Sequence, residues 1–107
     1  MKIPETVKKQ IEDMIESFNN NRLRHLGCYY LTRYKGSYLY LDRYESECDS
    51  TEPICRLKYN GQMNDWDFAI FKYSSERYAT DEAFQSDNLF DGTVEGAMKA
   101  GLKAYPL

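Results

Sequence analysis

ICRLKYNGQMNDWDFAIFKY, residues 54–73, is the stretch whose reading decides the fold. It divides into two runs that alternate apolar and polar side chains around a polar centre, the pattern of a β-hairpin. In one register Tyr59 faces Trp66, Leu57 faces Phe68 and Cys55 faces Ile70 on one side of the sheet, while Lys58 meets Asp67 and Ile54 meets Phe71 on the other. Cross-strand aromatic and opposite-charge pairs of this kind contribute roughly 0.2–1 kcal/mol each, and a one-residue slip would turn the whole apolar set toward water. A two-residue turn at Asn60-Gly61 would instead set Leu57 against Asn64 and Arg56 against Asp65, which wastes the apolar face. Residues 60–65 are therefore expected to form a longer loop.

The second run, WDFAIFKY, is apolar on both faces, which predicts a strand covered at least partly on both sides, with Phe84 and Phe90 as candidates for the second cover. Toward the N-terminus, CYYLTRY (28–34) and SYLYLDR (37–43) also alternate with period two and are joined around Lys35-Gly36. Leu39 and Leu41 share one face; Tyr38, Tyr40 and Asp42 take the other. A two-residue turn sets Thr32 against Leu39, and a three-residue turn sets Leu31 against Leu41. Residues 44–53, YESECDSTEP, carry four acids and no base and are expected to form a loop.

Helices flank the strands. Ile3, Val7, Ile11, Met14, Ile15 and Phe18 make one apolar stripe of helical period over residues 4–19, with Pro4 suited to the first turn and Asn19-Asn20-Asn21 expected to end it. Residues 93–104 read as a second helix, capped by Asp91 or Thr93, with Val94, Met98, Leu102 and Tyr105 on one stripe. Gly96 and Gly101 each cost roughly 1 kcal/mol against Ala in a helix, so close approach of helix backbone to sheet is the expected return. Between the last strand and this helix, residues 74–91 have weak periodicity, with one helical turn expected near Asp81–Phe84. A segment of that length inside a compact domain is a place to look for function. The prediction is a single α+β domain over residues 1–107, of order α-β-β-β-β-α, with a four-stranded antiparallel meander flanked by N- and C-terminal helices.

The segments YLYLDR (38–43), ICRLKY (54–59), DWDFAIFKYSSERY (65–78) and GTVEGAMKAGLKAYP (92–106) resemble blocks carried in the same order by a family of small uncharacterised prokaryotic proteins. The resemblance covers most of the chain after residue 38 and implies no activity. A looser likeness in topology connects the chain to double-stranded-RNA-binding domains, from which it departs by an extra strand and by lacking a basic helix N-terminus.

Composition narrows the classes. In 107 residues with a net charge of −3 there are ten Tyr, five Phe and one Trp, which suits a Tyr-rich sheet with one wet face and argues against a general phosphate-backbone binder. No apolar run approaches a membrane span, and MKIPETVKKQ has no apolar signal segment, so the expected location is cytoplasmic, with no membrane partner. Cys28, Cys48 and Cys55 are expected as free thiols. With His25 they are the right types for zinc, but Cys48 and Cys55 are spaced more widely than a zinc knuckle and Cys55 faces Ile70; no metal and no cofactor is expected. His25 is the chain's only histidine and is expected as an ordinary surface imidazole, and no glycine-rich phosphate loop follows a strand.

Two clusters remain. Lys72, Ser74, Ser75, Arg77 and Tyr78 set two hydroxyls between two cations, enough to hold a small anion or a carboxylate. Residues 21–43 hold five bases, Arg22, Arg24, Arg33, Lys35 and Arg43, against one acid, Asp42, interleaved with Tyr as a single-strand stacking surface requires. The leading expectation is a small non-enzymatic binding or adaptor domain, monomer or homodimer, that meets a protein or small anionic ligand through its sheet face and residues 74–91. The second is single-stranded nucleic-acid binding through Arg33, Tyr38, Tyr40 and Arg43, ranked lower because the net charge and the acidic loop oppose it. The third is a small hydrolase or transferase at Lys72–Tyr78.

Overall fold

Apolar alternation along four stretches, with a short fifth strand at the edge, builds among the described residues a five-stranded antiparallel sheet whose spatial order repeats the chain order, β1-β2-β3-β4-β5. A computed structural model describes residues 2–79 and 92–105. The elements are α1 (Glu5–Phe18), β1 (Cys28–Lys35), β2 (Tyr38–Glu45), β3 (Ser50–Gln62), β4 (Asp65–Lys72), β5 (Arg77–Ala79) and α2 (Val94–Ala104). The α+β meander is as expected but has one strand more: the chain turns back after Lys72, and Arg77, Tyr78 and Ala79 pair with Lys72, Phe71 and Ile70. Three residues are too few for a periodic signal, which is why β5 is invisible to pattern reading. The expected helical turn near Asp81–Phe84 and the covering roles of Phe84 and Phe90 lie outside the described residues.

Both helices pack on one face of the sheet, α1 toward β1 and α2 over β3 and β4. Ile11, Ile15 and Phe18 of α1 and Val94, Ala97 and Met98 of α2 close over Tyr30, Leu39, Leu41, Cys55, Leu57, Tyr59, Trp66 and Ile70. The β3–β4 register is the one the side chains dictate: Tyr59 opposite Trp66, Lys58 opposite Asp67, Leu57 opposite Phe68, Cys55 opposite Ile70. The connection is shorter than expected. β3 runs on to Gln62, which pairs with Asp65 across a bulge after Tyr59, leaving Met63-Asn64 as the turn. Ile54 does not pair with Phe71. The β2–β3 ladder slips between Leu41 and Asp42, so that Ile54 and Cys55 both turn into the core, as a bulge allows.

Three other expectations are corrected. The loop expected over residues 44–53 shrinks to 46–49, because β2 runs on to Glu45 and β3 starts at Ser50. The β1–β2 turn is Gly36-Ser37, with Gly36 at φ 59°, and it sets Thr32 against Leu41 and Leu31 against Asp42, neither of the two registers considered. The asparagines do not end the first helical segment. Asn19 stays right-handed, the chain continues through a π-turn (Asn19–Leu23) and a 3₁₀ turn (Arg24–Leu26), and Gly27 at φ 71° ends it. Burial of Leu23 against the core holds the chain in helical form past the point where local preference would release it. α2 starts as predicted: the Thr93 hydroxyl accepts the Gly96 N–H at 2.9 Å.

Candidate functional site

Alternation sends one set of strand side chains away from the helices, and they assemble into a lattice of rings and cations. In one row across β1, β2, β3 and β4 lie Arg33, Tyr40, Arg56 and Ala69; in the next lie Lys35, Tyr38, Lys58 and Asp67. Tyr78 from β5 and Phe71 from β4 extend the surface, their ring centroids 5.1 Å apart. Neither helix lies on this face.

The geometry is that of stacked guanidinium and aromatic groups. Arg56 sits 4.7 Å from the Tyr38 ring centre and 5.3 Å from that of Tyr78, and Arg33 lies 4.8 Å from the Tyr40 ring. Tyr40 meets Tyr78 edge-on at 5.4 Å. Each cation–ring contact is worth about 0.5–1 kcal/mol in the open and more when dry. Arg33 is further held by a bidentate pair to Asp42, Nε donating at 2.5 Å and Nη2 at 3.1 Å. This pairing raises the guanidinium pKa above its ordinary value. Burial is the main cause that raises the Tyr78 phenol pKa. Arg56 has no carboxylate partner among the described residues. The face therefore carries Arg33, Lys35, Arg56 and Lys58 against Asp42 and Asp67.

Of the residues singled out for a nucleic-acid face, Arg33, Tyr38 and Tyr40 come together and Arg43 does not. Arg43 shares the parity of Leu39 and Leu41, so it points under α2, where only 3% of it is exposed. Its Nη2 donates to the Tyr105 carbonyl at 2.7 Å, a cation at the negative end of α2. Arg56 and Lys58 join the face instead, as the parity of Cys55, Leu57 and Tyr59, which places both on the opposite side, requires. Tyr78, grouped by sequence with the anion cluster, joins the face through β5, a strand without a sequence signal.

The cluster after β4 is divided by the sheet. Lys72 and Arg77 are cross-strand partners on one face, whereas Tyr78 belongs to the other. Ser74 and Ser75 are exposed in the connecting turn, which is closed by the Ser75 N–H donating to the Lys72 carbonyl at 3.3 Å and by Glu76 at φ 53°. Among the thiols, Cys55 and Cys28 are buried and Cys48 is exposed, while His25 is exposed on the 3₁₀ turn. Among the described residues no three His, Cys, Asp or Glu side chains converge as a metal site would require. No helix among them is long and apolar enough to cross a membrane.

No protein-family model, curated protein or solved structure matches the chain.

Proposed function

We propose that the protein is a small non-enzymatic binding domain that works through the Tyr/Arg face of its sheet. The observation that carries this reading is Arg56, whose guanidinium lies between the Tyr38 and Tyr78 rings with no carboxylate partner among the described residues. Flanked in that way, a guanidinium is pre-oriented and its N–H donors remain available to an incoming anionic group. Residues 74–79 contribute by returning Tyr78 to this surface; residues 80–91 lie outside the described part. The partner that fits is a protein segment that brings carboxylates and a few aromatic anchors.

Single-stranded nucleic acid is the second reading, supported by the alternation of cation and ring along both rows. The two separate by salt. A nucleic acid loses affinity steeply as salt rises, because neutralised phosphates release counterions, and each arginine removed lowers the slope. A protein partner shows a shallow dependence and is lost with one or two anchors. The test is to recover the partner retained by the native protein, compare Tyr40→Ala and Arg56→Ala variants that keep the native circular dichroism spectrum, and titrate mixed oligonucleotides in parallel. Loss of the partner in both variants supports the reading. Unchanged retention in both overturns it, and oligonucleotide binding at physiological salt that Tyr40→Ala abolishes puts the second reading first.

A further inference from the structure

A groove of about 670 Å³ runs along the outer edge of β1, walled by Glu12, Glu16, Asn19 and Arg24 from α1 and the turns that follow it. β1 is an outer strand of the sheet. The Asn19 side chain occupies the main chain of one edge residue: its Nδ2 donates to the Tyr30 carbonyl at 3.1 Å, and the Tyr30 N–H donates to its Oδ1 at 2.8 Å. One amide thus makes the paired bonds that a neighbouring strand would make. In an antiparallel ladder, outward-pointing main-chain groups recur at every second residue. Those of Cys28 and Thr32 therefore point into the same groove, and neither main chain has a partner on that side among the described residues. A π-turn, Asn19–Leu23, carries Asn19 to this position, and such turns are frequent at functional sites.

Apolar exposure gathers at the same place. Leu26, Tyr29 and Leu31, exposed by 57%, 42% and 39%, are three of the four exposed large apolar side chains among the described residues, and Tyr29 and Leu31 line the groove. An unpaired edge beside exposed apolar side chains is the arrangement that accepts an added strand. The walls also have polarity. Glu12 sits at the Thr32 end, accepting the Thr32 hydroxyl at 2.8 Å and the Tyr34 hydroxyl, and Glu16 beside it has no ion-pair partner among the described residues. Arg24 lies at the Cys28 end.

We infer that the edge of β1 is a second binding site, taking an extended peptide as a sixth strand, with a lysine or arginine of the peptide against Glu12 and Glu16 and apolar side chains against Tyr29 and Leu31. Asn19 acts as a latch that satisfies Tyr30 until the peptide displaces it. A second copy of the chain fits less well, because its own α1 and Asn19 would stand between the two edges. This inference does not rest on the reading of the Tyr/Arg rows, although Tyr29 and Leu31 share the sheet face of Arg33.

The test is selection of displayed random hexapeptides on the native protein, followed by titration of the enriched peptides as synthetic capped forms. Enriched peptides should share a basic residue among alternating apolar ones, and should move ¹H–¹⁵N signals of residues 12–32 while leaving Tyr38, Tyr40 and Arg56 unmoved. Thr32→Pro removes an N–H that points out of the sheet, which an edge strand tolerates, and should lower affinity by about tenfold with the fold intact. Glu16→Lys, at an exposed position, should produce a comparable loss, so the inference does not depend on one variant folding. Asn19→Ala should bind more tightly, since Tyr30 is then free. No enrichment, equal binding to the Thr32→Pro and Glu16→Lys variants, or signal movement confined to the Tyr/Arg face overturns the inference. A concentration-dependent dimer abolished by Thr32→Pro also overturns it, by assigning the edge to a second copy.

Discussion

Gly101 of α2 rides directly on Tyr30 of β1: a Cβ at this glycine would stand 2.7 Å from the Tyr30 hydroxyl oxygen and 2.6 Å from Cγ2 of Ile54. The phenol in turn donates to the Met98 carbonyl at 2.9 Å, so helix and sheet are joined by contact and by a buried hydrogen bond at one point. Helix propensity alone would favour Ala at this position by about 1 kcal/mol. Overpacking works against it, and both opposing atoms belong to residues buried to within 1%. Gly101→Ala should therefore destabilise the protein by about 1–3 kcal/mol in chemical denaturation. A variant more stable than the parent would mean that α2 does not approach the sheet this closely.

On the other face, Asp42 is the nearly buried member of its pair with Arg33, their side chains exposed by 11% and 55%. Arg33→Ala leaves the carboxylate without its bidentate donor and should cost about 1–3 kcal/mol. Arg33→Lys should recover only part, because an ammonium cannot reproduce the planar fork. Asp42→Asn combined with Arg33→Ala should cost less than the sum of the two changes, as a double-mutant cycle would reveal.

Stability should fall in alkali. Burial is the leading cause that holds the Tyr30, Tyr34 and Cys55 pKa values well above their ordinary ones, and it pushes Tyr73 up to about 12. In each case the folded state disfavours the ionised form. Below the unfolded-chain values, about 8.5 for Cys and about 10 for Tyr, both states hold these protons and the full stabilisation is present. Above them the unfolded chain releases protons that the folded chain retains, so stability declines as pH rises. The denaturation midpoint should drop from about pH 9 upward, and Tyr30→Phe should decline less steeply from a lower starting stability.

Thiol chemistry should distinguish the three cysteines. Cys48 is exposed, its sulfur accepting the Ser50 hydroxyl at 3.4 Å, whereas Cys28 and Cys55 are buried. A thiol-reactive chromophore should label one cysteine per chain quickly and the other two only as fast as the protein opens. Cys48→Ser should remove the fast phase alone.

The β3–β4 pairing was legible in the chain because every contact that sets it lies in one hairpin. Only one alignment keeps Leu57 and Tyr59 opposite Phe68 and Trp66 while Lys58 meets Asp67. The same holds for the apolar stripe of α1, the Thr93 cap and the need for small residues on α2, all properties of a single helix. The parity of β2 already placed Arg43 with Leu39 and Leu41, a signal available in the sequence but outweighed by its charge.

What the tertiary structure alone decided involves elements distant in the chain. The β1–β2 turn admits several registers, and the selected one places Tyr30 beneath α2, where it reaches Met98. The bulge at Ile54 lets the core bury two successive side chains, Ile54 against α2 and Cys55 beside it, a return that no local pattern contains. β5 exists because β4 presents an edge to pair with. The edge-on contact of Tyr40 with Tyr78, the seat of Arg56 over the Tyr78 ring and the hydrogen bonds of Asn19 to the edge of β1 need the whole sheet in place. Alternation along a strand tells which side a residue faces; which residues meet on that side is set by the order and register of strands, and these follow from burial summed over the entire core.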